Sequence, residues 1–152
     1  MIKIICVGKI KNKSLKLLIN NYLKRLRRYN KVEIKEVLDE SNNNDGRLLE
    51  KEENNIKKHI NNNDYIIALD IDGKQISSES FAKTLEDLFI RGKSNITFII
   101  GGSYGLSDNI KKEADLNLSF SKMTFPHQLF RLVLIEQIYR AFKIIKKETY
   151  HK

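Results

Sequence analysis

NITFIIGGSYGLS, residues 95–107, is the stretch of this sequence that decides the fold class. Its first six residues are mostly apolar and do not alternate with polar residues, which is typical of a strand buried on both faces. A glycine-rich segment follows, and Ser107 can cap a helix that begins directly after it. A strand, a glycine loop and a helix in succession predict one unit of an α/β domain with a parallel sheet.

Similar patterns continue towards both ends of the chain. The predicted strands are residues 2–7, 31–37, 65–70, 95–100 and 115–121. The predicted helices are residues 14–29, 47–60, 78–91, a short one from 107, and 126–147. We therefore expect a single domain, residues 1–152, with a mostly parallel sheet of five or six strands flanked by helices. The alternating strand 31–37 should lie near a sheet edge, and an Asp72-Gly73 turn should close the strand 65–70.

The chain is strongly basic. It has 28 Lys and Arg against 19 Asp and Glu, a formal net charge of +9. A positive field of this size favours a polyanionic partner such as nucleic acid. The alternative is compositional bias, because the chain is also rich in Asn and Ile. Four of the cations lie on the exposed side of the first helix: Lys24, Arg25, Arg27 and Arg28.

Several features bear on where the protein works. No apolar run is long enough to span a bilayer, and the apolar segment at the N-terminus is too short for a signal peptide. The single cysteine, Cys6, lies in an apolar strand, where an inert buried thiol is expected. No Cys, His and Asp cluster has the spacing of a metal site. The sequence thus predicts a cytoplasmic protein that engages neither a membrane nor a metal.

Three strand ends are unusual and predict a ligand site. In open α/β sheets, ligands lie beyond the carboxyl ends of the strands. The segments that follow three strands here are ALDIDGK, IIGGSYGLS and LSFSKMTFPH. Gly101, Gly102 and Gly105 would let the backbone approach a ligand closely. Their GGxxG spacing, with no lysine in P-loop register, does not support a Walker-type phosphate site, and an ordinary glycine-rich turn is the alternative.

The last predicted helix begins beside this site and is apolar on several sides. Pro126 has the backbone geometry for the start of a helix, and His127 lies in the first turn, where either a positioning or a catalytic role is open. Arg131 falls on the apolar face and needs a partner or a ligand, unless it snorkels to solvent. A helix with this pattern should pack against more than its own sheet, so we expect a second subunit.

The motifs YIIALDIDGK, FIIGGSYGLS, LSFSKMTFPHQLFRLVLIEQIYRAFKI and the terminal YHK, in this order and spacing, resemble the RlmH family. These are SPOUT-class methyltransferases that modify a pseudouridine in large-subunit ribosomal RNA, and the resemblance covers essentially the whole chain. It implies a C-terminal trefoil knot, a homodimer, and S-adenosylmethionine as cofactor. The general scarcity of knots would have argued against this topology. Thr149 stands where the family usually has proline.

The resemblance also implies site residues. The implied cofactor contacts are Leu69, Gly101, Phe120, Ser121, Lys122, Met123, Thr124 and Phe125, with Gly102 and Gly105 beside them in the glycine loop. The positions that match the substrate side of the family, and are our candidate catalytic residues, are Arg131, Arg140, Tyr150 and His151. A Gly101→Val change is expected to clash with the adenosyl group while leaving the fold intact.

The implied reaction moves a methyl group from a sulfonium to N3 of pseudouridine, which requires in-line alignment and removal of the N3 proton. His151, His127 or water could take that proton. Without a dedicated RNA-binding domain, so small a protein is expected to recognise the assembled ribosome. The alternatives are a non-catalytic RNA- or ribosome-binding factor on the same fold and an α/β enzyme for another nucleotide.

Helix length bears on where the C-terminal tail acts. Some twenty helical residues at about 1.5 Å each carry the chain roughly 30 Å from the glycine loop. The tail should therefore not reach its own loop. If two such helices pack antiparallel in a dimer, the tail of one chain meets the loop of the other. We accordingly expect a composite site with Tyr150 and His151 supplied by the partner.

Overall fold

The computed structural model describes residues 1–42 and 46–151 and arranges five strands of them in one sheet. The strands are β1 (Ile2–Val7), β2 (Val32–Val37), β3 (Tyr65–Gln75), β4 (Ile96–Ile100) and β5 (Leu116–Ser119). The helices are α1 (Lys13–Leu26), α2 (Leu48–Lys57), α3 (Ser78–Ile90), α4 (Asp108–Glu113) and α5 (His127–Ile145). The strand order is β2-β1-β4-β3-β5, and each neighbouring pair is parallel. The predicted fold class is confirmed, while the trefoil knot stays a prediction.

Helices cover both faces of the sheet. Helices α1, α3 and α5 share one apolar cluster, which includes Ile4 of β1, Ile19 and Ile138. Helices α2 and α4 share the other, which includes Ile5 and Ile56. Successive residues of a strand point to opposite faces, so a central strand between two helix layers is covered on both faces. Strand β1 is buried at all six positions, as predicted, and its one charged residue, Lys3, forms an ion pair with Asp64 at 3.3 Å.

Strand β2 lies at one edge of the sheet, where its alternating pattern placed it. Its residues Lys35 and Glu36 are exposed, whereas Val37 is buried. An edge strand has one side without a strand neighbour, so polar side chains can reach water there. Lys35 and Glu36 are consecutive and point to opposite faces, so both faces of the strand are exposed at this point.

Strand β3 corrects the prediction that an Asp72-Gly73 turn ends it. The strand continues to Gln75, and its pairing with β5 shifts register between Leu69 and Lys74. A Cβ atom at Gly73 would lie 2.8 Å from the backbone of Asn117 in β5. Glycine at this position therefore serves the close approach of two strands across an irregularity rather than a reversal of the chain.

The C-terminal segment corrects a second prediction. Pro126 caps α5 rather than forming its first turn, and the helix ends at Ile145. Lys147 then adopts a left-handed conformation with φ of 54°, which is common just beyond a helix end. The chain reverses there, and the hydroxyl of Tyr150 reaches Glu136, 14 residues earlier. The tail thus folds back along its own helix instead of staying at its far end.

Candidate active site

A cleft of about 360 Å³ lies at the carboxyl ends of β3, β4 and β5. Its size is within the range of small-molecule sites. Nine of the ten residues predicted to contact a cofactor line this cleft: Leu69, Gly101, Gly102, Gly105, Phe120, Ser121, Met123, Thr124 and Phe125. Lys122 lines a separate depression on the other side of the same loop. The structure therefore gathers these residues around one space, and their contact with a cofactor stays a prediction.

The glycine loop is closed on itself. A Cβ atom at Gly101 would lie 2.4 Å from the carbonyl oxygen of Gly105. Gly105 has φ of 77°, and its backbone N–H donates to Gly102 at 3.1 Å. A side chain at Gly101 would therefore deform the loop itself. This corrects the expectation that a Gly101→Val change acts only on a bound ligand.

The rim of the cleft carries exposed apolar side chains, of which Met123 was among the predicted site residues, whereas Tyr104 and Ile71 were not. Tyr104 is 70% exposed and Met123 is 78% exposed, and Ile71, which is 45% exposed, also lines the cleft. Asp70 and Lys111 form an ion pair at 3.2 Å between β3 and α4. Asp70 directly follows the apolar run of β3, which was a usable signal, whereas nothing in the local sequence marks Lys111.

His127 also lines the cleft, at the point where α5 begins. Its Nε2 is 3.7 Å from the position that a Cβ of Gly8 would take, and the side chain of Asp39 lies at a similar distance from that position. Hydrogen bonds from Ser41 hold the pKa of Asp39 below its usual value, with the nearby imidazole contributing less. His127 therefore touches both the cleft and the end of β1, so positioning and catalytic roles both remain open for it.

Arg131 is fully buried and bonded to the first two strands. Its guanidinium donates to the carbonyl oxygens of Val7 and Gly8, each at 2.8 Å, and to Glu36 at 2.9 Å. The side chain has no exposed surface, so it does not snorkel. The geometry gives Arg131 the role of tying α5 to the end of β1. Its contact with a substrate stays a prediction.

The other three candidate catalytic residues come together away from the cleft. Arg140 bonds Glu136 in an ion pair at 2.6 Å, and its guanidinium lies 4.8 Å from the ring centre of Tyr150. The Tyr150 hydroxyl donates to Glu136 at 3.1 Å. His151 completes this group through Arg140 at 3.1 Å. Tyr150 and His151 do not line the cleft of their own chain.

His151 is held between two partners with opposite hydrogen-bonding needs. Arginine only donates, so Nδ1 of the neutral ring accepts from Arg140, and Nε2–H then donates to Glu79 at 2.6 Å. The pKa of Glu79 falls to about 2, first through its own backbone N–H and next through His151. Both ring nitrogens are thus engaged. His151 must leave Arg140 before it can accept a proton.

Among residues 1–42 and 46–151, no group of three or more His, Cys, Asp or Glu is arranged to hold a metal ion. Within the same ranges, no helix is both long and apolar enough to cross a membrane. Cys6 is buried, and burial raises its pKa to about 12, which agrees with an inert thiol.

The fold and the cleft define an α/β protein with a ligand-sized site at the carboxyl ends of three adjacent parallel strands. The family model described as "Predicted SPOUT methyltransferase" matches residues 1–151. The chain belongs to the SPOUT methyltransferases and, within them, to the RlmH family, which confirms the resemblance.

Named relatives extend over nearly the full chain. Proteins of Clostridium kluyveri and Enterococcus faecalis are each 53% identical, and one of Clostridium botulinum is 52% identical. Each alignment covers 99% of both chains, and each relative is named ribosomal RNA large subunit methyltransferase H. A solved structure of a probable methylase family protein from Haemophilus influenzae matches with a TM-score of 0.56 at 12% identity. The match covers 99% of this chain and 70% of the solved chain. At this level of identity it supports the fold alone.

Proposed function

We propose that this protein transfers a methyl group from S-adenosylmethionine to N3 of a pseudouridine in large-subunit ribosomal RNA, on the assembled ribosome. The observation that carries the proposal is the full-length identity of 52–55% to relatives named ribosomal RNA large subunit methyltransferase H. The cleft supports it, because nine of the ten residues expected to hold the cofactor surround a single space. The cytoplasm is the proposed compartment.

The residues of the cleft fit an adenosyl compound. Apolar walls from Leu69, Phe120 and Met123 suit an adenine base, and the glycine loop brings backbone groups close to the space they enclose. Ser121 keeps its own loop in shape, since its hydroxyl accepts from the N–H of Met123 at 2.9 Å. When bound, the cofactor supplies a methyl carbon on a positively charged sulfur. The chain's part is to hold that carbon in line with the acceptor nitrogen.

The cofactor assignment is tested by blocking the cleft. Thr124 lines the cleft, whereas Lys122 lies two residues away and faces another depression. Thr124→Trp should lower the affinity for S-adenosylmethionine at least about 100-fold, because the indole occupies the space of the ligand. Lys122→Trp is the matched control and should bind within about threefold of the unaltered protein. Calorimetric titration measures both.

The same pair of variants separates the rival functions. With ribosomes as substrate, Lys122→Trp should methylate large-subunit RNA and Thr124→Trp should not. A chain that binds ribosomal RNA but takes up no S-adenosylmethionine would establish the non-catalytic factor instead. Tight binding of a different nucleotide in the cleft, lost in Thr124→Trp, would establish an enzyme of another class.

Homodimerisation is part of the proposal. Apolar side chains remain exposed on two neighbouring helices: Leu17 and Leu18 of α1 are 62% and 45% exposed, and Leu129 of α5 is 38% exposed. Leu15 and Leu129 line a shallow depression between these helices. A second copy of the chain would cover this surface and place its own α5 alongside. The composite site, with the tail of one chain beside the cleft of the other, follows from that arrangement.

Sedimentation tests the dimer. At micromolar concentration the protein should have twice the chain mass of 17.8 kDa. Leu129→Glu should shift it to the monomer, because a carboxylate buried in an apolar interface costs several kcal/mol. Ile90→Glu is the control, since Ile90 is 76% exposed at the end of α3 and should leave the dimer intact. Equal behaviour of the two variants would show that the contact surface is elsewhere.

A further inference from the structure

The far ends of α1 and α5 form one surface at the opposite end of the molecule from the cleft. Tyr139 of α5 packs edge-on against Tyr22 and Tyr29, and Tyr29 stacks on Phe142. Helix α5 begins at His127 in the cleft wall and ends at Ile145. At about 1.5 Å per residue its last turn lies roughly 27 Å from the cleft. These aromatic contacts therefore mark a distant end of the fold.

This distant end is crowded with cations, six of which are exposed. We define the basic end as the cations that α1 and α5 carry at and just beyond their last turns: Lys24, Arg25, Arg27, Arg28, Lys143, Lys146 and Lys147. The side chain of Arg28 is 68% exposed. In the described ranges, Glu148 is the carboxylate that contacts this group, and it is shared by Lys143, Tyr29 and Arg28. A large positive surplus remains.

The helix dipole explains the placement of only some of these cations. A helix dipole favours cations in the last turn, which covers Lys24, Arg25 and Lys143. Arg28 and Lys147 lie beyond their helices, where the dipole adds little. Neighbouring like charges repel, so the group gains its full stabilisation only when a polyanion neutralises it.

Two of the three arginines of the basic end, Arg25 and Arg28, lie against tyrosine rings. The guanidinium of Arg25 lies 5.5 Å from the ring centre of Tyr22, and that of Arg28 lies 5.2 Å from the ring centre of Tyr29. These contacts hold two exposed guanidinium groups against tyrosine rings. Planar guanidinium groups bind phosphate with paired hydrogen bonds, and pre-positioned side chains lose less entropy when they do so.

We infer that the basic end is a second RNA-contact surface that binds phosphates of ribosomal RNA about 27 Å from the cleft of the same chain. This inference rests on the proposed function, because it takes ribosomal RNA as the polyanion. The inference also assigns part of the chain's net positive charge to one particular surface. The cleft holds the cofactor, and the basic end holds the RNA backbone at a distance, independently of base sequence.

A charge-matched pair of variants tests this surface. Arg25, Arg28 and Lys147 are changed together to Gln. The control changes Lys58 at the end of α2, Lys83 on α3 and Lys112 on α4 to Gln. Each triple variant loses the same net charge from exposed positions. Binding to purified large ribosomal subunits is measured at several salt concentrations. The first variant should weaken binding at least about tenfold at physiological salt and reduce the slope of log K against log salt by about 2 to 3.

The control variant should change that slope by less than half as much. Equal losses in both variants would overturn the inference, because the attraction would then come from net charge alone. Calorimetry with S-adenosylmethionine is run on the same proteins and should show no change in either. Vesicles rich in phosphatidylglycerol form a further arm, and charge-selective vesicle binding without charge-selective ribosome binding would also overturn it.

Failure of this surface can be told apart from failure of the proposed function. If the ribosome is methylated while both variants keep equal salt slopes, the function stands and the surface is wrong. If ribosome binding depends on the basic end but no methyl transfer is found, the surface stands and the proposed activity is wrong.

Discussion

Arg131→Met is expected to lower the free energy of unfolding by about 3 kcal/mol, because two hydrogen bonds from a charged donor to buried carbonyls are lost at once. Arg131 has no exposed surface, and the carbonyl oxygens of Val7 and Gly8 would be left without this donor. The methionine fills much of the same volume, so the cavity contribution is small. Urea unfolding followed by circular dichroism measures the change.

The control is an arginine that also pairs with a glutamate but lies at the surface. Arg28 faces Glu148 at 3.9 Å with its side chain 68% exposed. Arg28→Met should cost less than about 1 kcal/mol, since exposed ion pairs contribute little. If both variants unfold at the same urea concentration, the buried hydrogen bonds of Arg131 do not stabilise the fold more than the exposed ion pair of Arg28 does.

Two inactive chains are expected to restore activity when they share a dimer. One chain carries Thr124→Trp and lacks a usable cleft, and the other is truncated after Glu148 and lacks Tyr150 and His151. If each cleft uses the partner's tail, a heterodimer holds one intact site and one with both lesions. Methyl transfer should return from the background level to as much as half that of the unaltered dimer. Gly101→Val is unsuitable as the blocked chain, because it would deform the glycine loop.

The structure makes this experiment more decisive than helix length alone suggested. Tyr150 lies level with Glu136, nine residues from the start of α5 and therefore about 14 Å from it along the helix axis. A tail this close could serve its own cleft after a modest movement. In that case each site of the heterodimer keeps one lesion, and heterodimers verified by mass that stay inactive would exclude the shared site.

Local patterns predicted the features of the fold that depend on local chemistry. The mostly apolar, non-alternating runs of β1 and β4 indicated strands buried on both faces, and the N-cap of α3 at Ser77 was visible as a serine pair before a helical repeat. The three unusual strand ends led to the cleft. Each of these signals lies within a few residues of the structure that it predicts.

Contacts between distant parts of the chain could not be predicted in this way. The extension of β3 depends on Gly73 meeting a strand more than 40 residues later, and Glu79 meets His151 across 72 residues. The partners of Arg131 lie 95 to 124 residues away. The pattern of α5 showed only that this arginine needed a partner. Which carbonyls and which carboxylate satisfy it depends on the tertiary structure.

The position of β1 also has a consequence for synthesis of the chain. This first strand pairs on one side with β2 and on the other with β4, and its end is bonded by Arg131. A nascent chain thus cannot complete the surroundings of its own first residues until the last helix has left the exit tunnel. Contacts of such long range slow folding. Until then the apolar faces of α1 and α3 that α5 will cover stay open to other chains, so we expect this protein to depend on chaperones at high expression.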